Sequence, residues 1–233
     1  MSNSFNLTLD TLGPASPSIQ IANGATYTSN VLVNTALATT DTTTTGYQMK
    51  FWGDVDLAWA KTNGVMNSGA TTTTESDATW VTYATTKQIQ LTSGDGSKTL
   101  YFKIRDDVYN ESSQVSSSIS LDTTLPVVTI SGPDVPKISK KNGKNVCSFS
   151  FQSDSPFVEY KVKVVASAGG AQDTGTTVGT TNGSTNMSAT GAFGSNTAIN
   201  CQINGADLEV ASAGDGMKIV KVFVKKASGQ WSA

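Results

Sequence analysis

The stretch Gly94-Asp95-Gly96-Ser97-Lys98-Thr99-Leu100-Tyr101-Phe102-Lys103-Ile104-Arg105 returns 120 positions later as Gly214-Asp215-Gly216-Met217-Lys218-Ile219-Val220-Lys221-Val222-Phe223-Val224-Lys225, without a gap. In each copy a Gly-Asp-Gly turn leads into residues whose polarity alternates with a period of two. That period sends successive side chains to opposite faces of a strand, so Leu100, Phe102 and Ile104 share one face while Lys103 and Arg105 share the other. The same register carries Ser112 onto Ser232. Upstream, Tyr47-Gln48-Met49-Lys50-Phe51 matches Tyr160-Lys161-Val162-Lys163-Val164, 113 positions apart. Two matches in the same order, both keeping the alternation, point to a duplicated module built of strands.

Further period-two runs lie at 18–22, 30–37, 87–92, 115–121, 127–130, 146–151 and 198–203. Asn23-Gly24, Gly132-Pro133, Gly169-Gly170 and Asn182-Gly183 punctuate them. Short strands at regular spacing predict an all-β chain of two tandem β-sandwiches. No segment reads as an amphipathic helix. The expected parts are an N-terminal strand or arm at 1–13, a first sandwich at 14–125 and a second at 126–233. The Gly-Asp-Gly turns precede strands rather than helices, so they are turn glycines and not phosphate loops.

A third match concerns the end of the first copy. Ile119-Ser120-Leu121-Asp122-Thr123-Thr124-Leu125-Pro126 has the form of Leu7-Thr8-Leu9-Asp10-Thr11-Leu12-Gly13-Pro14, with Asp four residues before Pro in both. A spare final strand therefore stands at the start of the sequence, and nothing corresponding to 115–121 follows the run at 218–224. The second sandwich is expected to lack its last strand. Phe5, Leu7 and Leu9 form the apolar side of an assembly strand suited to completing the edge at Val220, Val222 and Val224 of another subunit. The alternatives are an arm that folds back within its own chain, docks on a different protein, or is unneeded because the polypeptide continues past Ala233.

Chemistry is narrowed by an absence. The 233 residues include no histidine, which removes imidazole acid–base catalysis, Ser/His and Cys/His nucleophile systems and His-ligated metals. Only 15% of residues are charged, the net charge is −2, and no basic block exceeds Lys140-Lys141, so no cationic stripe for nucleic acid is present. No apolar run approaches the roughly 20 residues of a membrane span, and the first residues lack the pattern of a secretory signal. The expectation is a non-enzymatic protein without a resident cofactor, made in the cytoplasm, with no nucleic-acid partner and no membrane insertion.

The run 98–112 followed by 119–126 resembles the bacterial and phage immunoglobulin-like repeat. That family reads as a Gly-Asp-Gly turn, an alternating strand, an Asp-x-x-x-Asn-x-Ser loop, a further strand and Leu-Asp-Thr-Thr-x-Pro. The likeness covers 80–126 and is partial in the second copy, where Lys226 and Gln230 replace Asp106 and Asn110. It implies the sandwich fold and a structural role, as in fibres, tail accessories and capsid decorations of tailed-phage virions, or in adhesins. Lacking a visible signal or anchor, the sequence favours the virion as location, with other copies of itself and other virion proteins as partners. The alternative is an adhesin module that binds a host surface or carbohydrate.

Three candidate sites remain. Asp106, Asp107, Asn110 and Asp122 are hard oxygen donors that could gather around Ca²⁺; the competing reading is a turn and a capped strand exit. Trp52 and Trp59 flank Asp54 and Asp56 and are candidate glycan contacts, against a loop with solvated acids and core aromatics. Cys147 and Cys201 read as small buried hydrophobes rather than a disulfide.

Overall fold

The alternation at 96–105 becomes a ten-residue strand whose Leu100, Phe102 and Ile104 are each 0% exposed. The computed structural model describes residues 4–233, and the chain divides after Thr123 into two units, each with its own core. In the first unit β1 (Ser18–Ile21), β2 (Tyr27–Thr28), β3 (Leu32–Ala38), β4 (Gln48–Gly53), β5 (Val81–Thr82), β6 (Thr86–Gln90), β7 (Gly96–Arg105) and β8 (Val115–Leu121) form two sheets. One runs β1-β3-β6 and the other β2-β8-β7-β4-β5, with only the β2–β8 pair parallel. Met49 and Phe51 of β4, Ile21 of β1, Val33 of β3 and Ile89 of β6 bury their side chains between the sheets. Each contributes about 1.5–3 kcal/mol by leaving water.

The second unit repeats the plan with β9 (Val128–Ser131), β10 (Val146–Ser153), β11 (Phe157–Val165), β12 (Thr176–Thr177), β13 (Ser188–Phe193), β14 (Ile199–Asn204) and β15 (Ile219–Lys225). The sheet β9-β10-β14 corresponds to β1-β3-β6. In the other sheet β11 pairs with β12 and β13 along one edge and with β15 along the opposite one. Both units are immunoglobulin-like β-sandwiches. Their cores differ in chemistry: the first has Phe51 against Phe102 at 5.1 Å between ring centroids, and the second clusters Phe151, Phe157, Tyr160 and Phe193.

The duplication extends to single hydrogen bonds. Ser112 Oγ accepts from the Ile104 N–H at 3.1 Å, and Ser232 Oγ accepts from the Val224 N–H at 3.2 Å. Lys98 Nζ donates to the Ser93 carbonyl and Lys218 Nζ to that of Ala213. Tyr109 has φ 70° and Gly229, 120 positions on, has φ 92°, so the loop after the long strand needs a left-handed residue in both copies.

Two expectations are corrected. The tyrosine match is out of register by two residues: Met49 pairs with Ile104 while Tyr160 pairs with Val224, which makes Tyr160 the counterpart of Met49 and not of Tyr47. A slip of two leaves the inside–outside alternation unchanged, so polarity alone could not reveal it. Two short helices also occur, α1 (Leu57–Thr62) and α2 (Gly205–Ala211). Asp56 caps α1 by accepting from the Trp59 N–H at 2.8 Å, and Asn204 caps α2 through the Ala206 N–H at 2.9 Å.

Among the described residues, 4–17 form no strand, and Phe5, Leu7 and Leu9 stand 86%, 86% and 85% exposed. Just behind them the segment is tethered. Asn110 Nδ2 donates to the Asp10 carbonyl at 3.3 Å, and a Cβ on Gly13 would come within 2.2 Å of the Glu111 carbonyl oxygen, so only glycine fits there.

Candidate assembly site

In the first unit β7 lies between β4 and β8. Its inner residues are covered from the β8 side by Ile119 and Leu121, 2% and 1% exposed. In the second unit β15 pairs with β11, and among the described residues no strand lies along its other edge. Val220, the counterpart of fully buried Leu100, is consequently only half-buried. A cavity of about 820 Å³ opens beside it, lined by Val220, Lys218, Ile130, Val135, Phe149 and Leu208, among others. An unpaired strand edge with an apolar trough beside it offers backbone hydrogen bonds and side-chain pockets together, the two things an added strand requires.

Of the three residues expected at this edge, Val220 lines the cavity, whereas Val222 and Val224 are already buried in the core. The trough lies at the start of β15, next to Gly216 and Met217. The first unit shows why: β8 pairs with β7 only from Gly96 to Phe102, and the Ser112 loop bonds to Ile104 beyond it. The far wall, from Pro133, Pro136 and Ile138, came without a repeat signature in the sequence. Leu208 reaches the trough because α2 follows directly on β14.

Cys147 also lines the trough. Burial pushes its thiol above the ordinary value, and the neighbouring Asp134 charge adds to this. Cys201 is deeper, and burial raises it to about 12. Both are free, and register places Cys147 opposite Ile203 and Cys201 opposite Phe149, diagonal neighbours rather than a facing pair. Neither thiol is an activated nucleophile.

The four proposed calcium ligands do not converge. Gly96 pairs with Leu121, so Asp122 lies beside the first residue of β7 while Asp106 follows its last, about 30 Å away at ~3.3 Å per residue. Asp106 is buried and committed to its own turn, accepting from the Val108 N–H at 2.9 Å, the Asn110 N–H at 2.8 Å and Asn110 Nδ2 at 3.0 Å. Asp107 is exposed. Among the described residues no group of three or more acidic or thiol side chains is placed to hold a metal.

Trp52 and Trp59 do not form a platform. Trp52 is 7% exposed, stacked on Tyr101 at 5.8 Å with Lys50 Nζ over its ring, and Trp59 packs partly buried against the first core. Asp54 and Asp56 serve the backbone: Asp54 accepts from the Thr99 N–H at 2.7 Å and Asp56 caps α1. Sequence reading missed the cationic–aromatic ladder on this face, where Trp80 sits between Lys50 and Arg105 and Arg105 continues onto Tyr109 at 4.3 Å.

No protein-family model and no curated protein matches this chain. Among solved structures, fibronectin(III)-like modules of Clostridium thermocellum CbhA align over 93% of this chain and 90% of theirs, at 10% identity and a TM-score of 0.43. Chitinase ChiA74 from Bacillus thuringiensis aligns over 93% of this chain and 30% of its own, at 14% identity and a TM-score of 0.30. Escherichia coli alpha-2-macroglobulin activated by porcine elastase aligns over 85% of this chain and 19% of its own, at 8% identity and a TM-score of 0.33.

Proposed function

We propose that the chain is a non-enzymatic structural module of a tailed-phage particle, a fibre, tail or capsid decoration component that is joined to its neighbours by β-strand addition at β15. The observation that carries the reading is the open edge of β15 beside an apolar trough, in a unit whose twin has the same place filled by β8. An edge of this kind is an aggregation hazard unless a partner covers it. The likeness of 98–126 to the immunoglobulin-like repeat of phage and bacterial surfaces supports the virion as the setting. Asp54 and Asp56, a carboxylate pair of the kind that could act as acid and base on a glycosidic bond, are occupied with backbone donors, which supports a role without chemistry.

The test is to purify particles on a density gradient and look for the chain by mass spectrometry and immunogold labelling. Its presence at a fixed copy number per particle is expected. Absence from particles, with binding of the purified protein to host cells or glycans, would instead establish the adhesin reading.

A further inference from the structure

Strand addition needs a donor, and the first unit supplies the template for identifying it. In that unit β8 pairs antiparallel with β7 in the register Lys98 to Ile119, Gly96 to Leu121 and Leu100 to Ser117. Beyond the strand, Asp95 accepts from both the backbone N–H and the hydroxyl of Thr123, each at 2.7 Å. The matching segment at the start of the chain places Leu7 where Ile119 stands, Leu9 at Leu121 and Thr11 at Thr123. The matching acceptor places Lys218 at Lys98, Gly216 at Gly96 and Asp215 at Asp95.

We infer that residues 4–9 of a second copy of this chain form the missing strand, antiparallel to β15, with Leu7 opposite Lys218, Leu9 opposite Gly216 and Phe5 opposite Val220. This rests on the strand-addition reading above and names its partner. Donor and acceptor agree in four independent respects. The donor's Phe5, Leu7 and Leu9 are an exposed apolar row at the every-second-residue spacing of a strand face, and apolar rows of that kind are normally buried. The acceptor trough is lined by the very residues, Gly216, Lys218 and Val220, that this register sets opposite them. Phe5 takes the place of Ser117 and so faces Val220, which lines the cavity of about 820 Å³. Asp215, exposed at the turn, stands ready to receive Thr11 as Asp95 receives Thr123. Because the donating and accepting surfaces differ, each copy gives to one neighbour and takes from another, producing a closed ring or an open fibre.

The experiment uses the full chain in solution. Light scattering coupled to size exclusion should show concentration-dependent oligomers, and the F5D/L7D variant, altered only at exposed positions, should be monomeric. V220D should also be monomeric while keeping the circular dichroism and Trp231 fluorescence of the parent. Mixing these two variants should restore a one-to-one pair, since one keeps the edge and the other the arm. For register, N6C with I219C should form a disulfide between chains on mild oxidation, while N6C with K225C should not. Assembly should also slow maleimide labelling of Cys147 on the order of tenfold relative to F5D/L7D. A monomer at every concentration, an F5D/L7D variant that still assembles, a crosslink within one chain, or crosslinking through K221C in place of I219C each overturns the proposal. If the chain is monomeric yet incorporated into particles, this inference fails while the structural role stands.

Discussion

Asp95 holds Thr123 by two hydrogen bonds of 2.7 Å, one from the backbone N–H and one from the hydroxyl, and so fastens the exit of β8 to the turn before β7. D95A should lower the melting temperature of the first unit by roughly 3 °C, read from the fluorescence of Trp52, Trp59 and Trp80. D215A, at the twin turn, should leave the melting of an isolated monomer unchanged and weaken assembly about tenfold. Equal effects of both variants on monomer melting would contradict the assigned difference between the two ends.

Asp207 is the most committed carboxylate of the second unit. It is 1% exposed and accepts from the Ser184 N–H at 3.0 Å and from the Asn182 N–H and Nδ2 at 2.9 Å each. Burial pushes its carboxyl up, but the donors of Ser184 and Asn182 together outweigh this and hold it below the ordinary 3.8. A depressed folded value means that its contribution is complete above about pH 4 and is lost as pH falls through the folded pKa. D207A should cost about 1–3 kcal/mol at pH 7, since it leaves the buried Ser184 N–H without its acceptor. Urea unfolding followed by Trp231 should show the gap between parent and variant narrowing below pH 4; a gap independent of pH would refute the assignment.

Glu75 bridges two lysines of the outer face of the first unit, Lys103 and Lys50, at 2.8 Å each. Hydrogen bonds from Lys103 and then Lys50 hold its carboxyl below the ordinary 4.5. Its side chain is 35% exposed, so solvent screens much of the Coulomb attraction, but Lys50 is buried and would lose its counter-charge. E75Q should therefore destabilise the first unit by about 1–2 kcal/mol at neutral pH. The difference should shrink as the parent's own Glu75 is protonated below pH 4.5, which a pH series of melting curves would reveal.

Gly53 ends β4 with φ +105°, and a Cβ there would lie 2.4 Å from the Thr99 carbonyl oxygen of β7. Both the left-handed backbone and the contact with a rigid strand exclude a side chain. G53A should destabilise the first unit by about 2–3 kcal/mol, measurable by chemical denaturation. Gly64 has a similar φ of +68° but open space around its Cβ position, so G64A should cost less than half as much.

Much of the sandwich could be read from residue order because strand faces follow a local rule. Leu100, Phe102 and Ile104 alternate with Tyr101, Lys103 and Arg105, and burial follows that alternation. The gapless 120-residue repeat located Ser232 as the twin of Ser112, and the hydrogen bonds agree. The same rule concealed the two-residue error at Tyr47 and Tyr160, since a shift by a full period keeps every face. The helices went unread because α1 has six residues and α2 seven, too few turns for a 3.6-residue period to emerge. The structure shows each capped, α1 by Asp56 and α2 by Asn204.

Sequence alone determined that two like modules of alternating strands follow one another, and that the segment at 7–14 has the form of the one that ends the first module. It could do so because alternation and repetition are carried by neighbouring residues along the chain. Tertiary structure decided what lies where strands distant in sequence meet. It parted Asp106 from Asp122, buried Trp52, took Val222 and Val224 into the core, and left Val220 facing a trough walled by Ile130, Val135 and Leu208. Those outcomes depend on which edges pair and which loops cross them, and no local pattern encodes either.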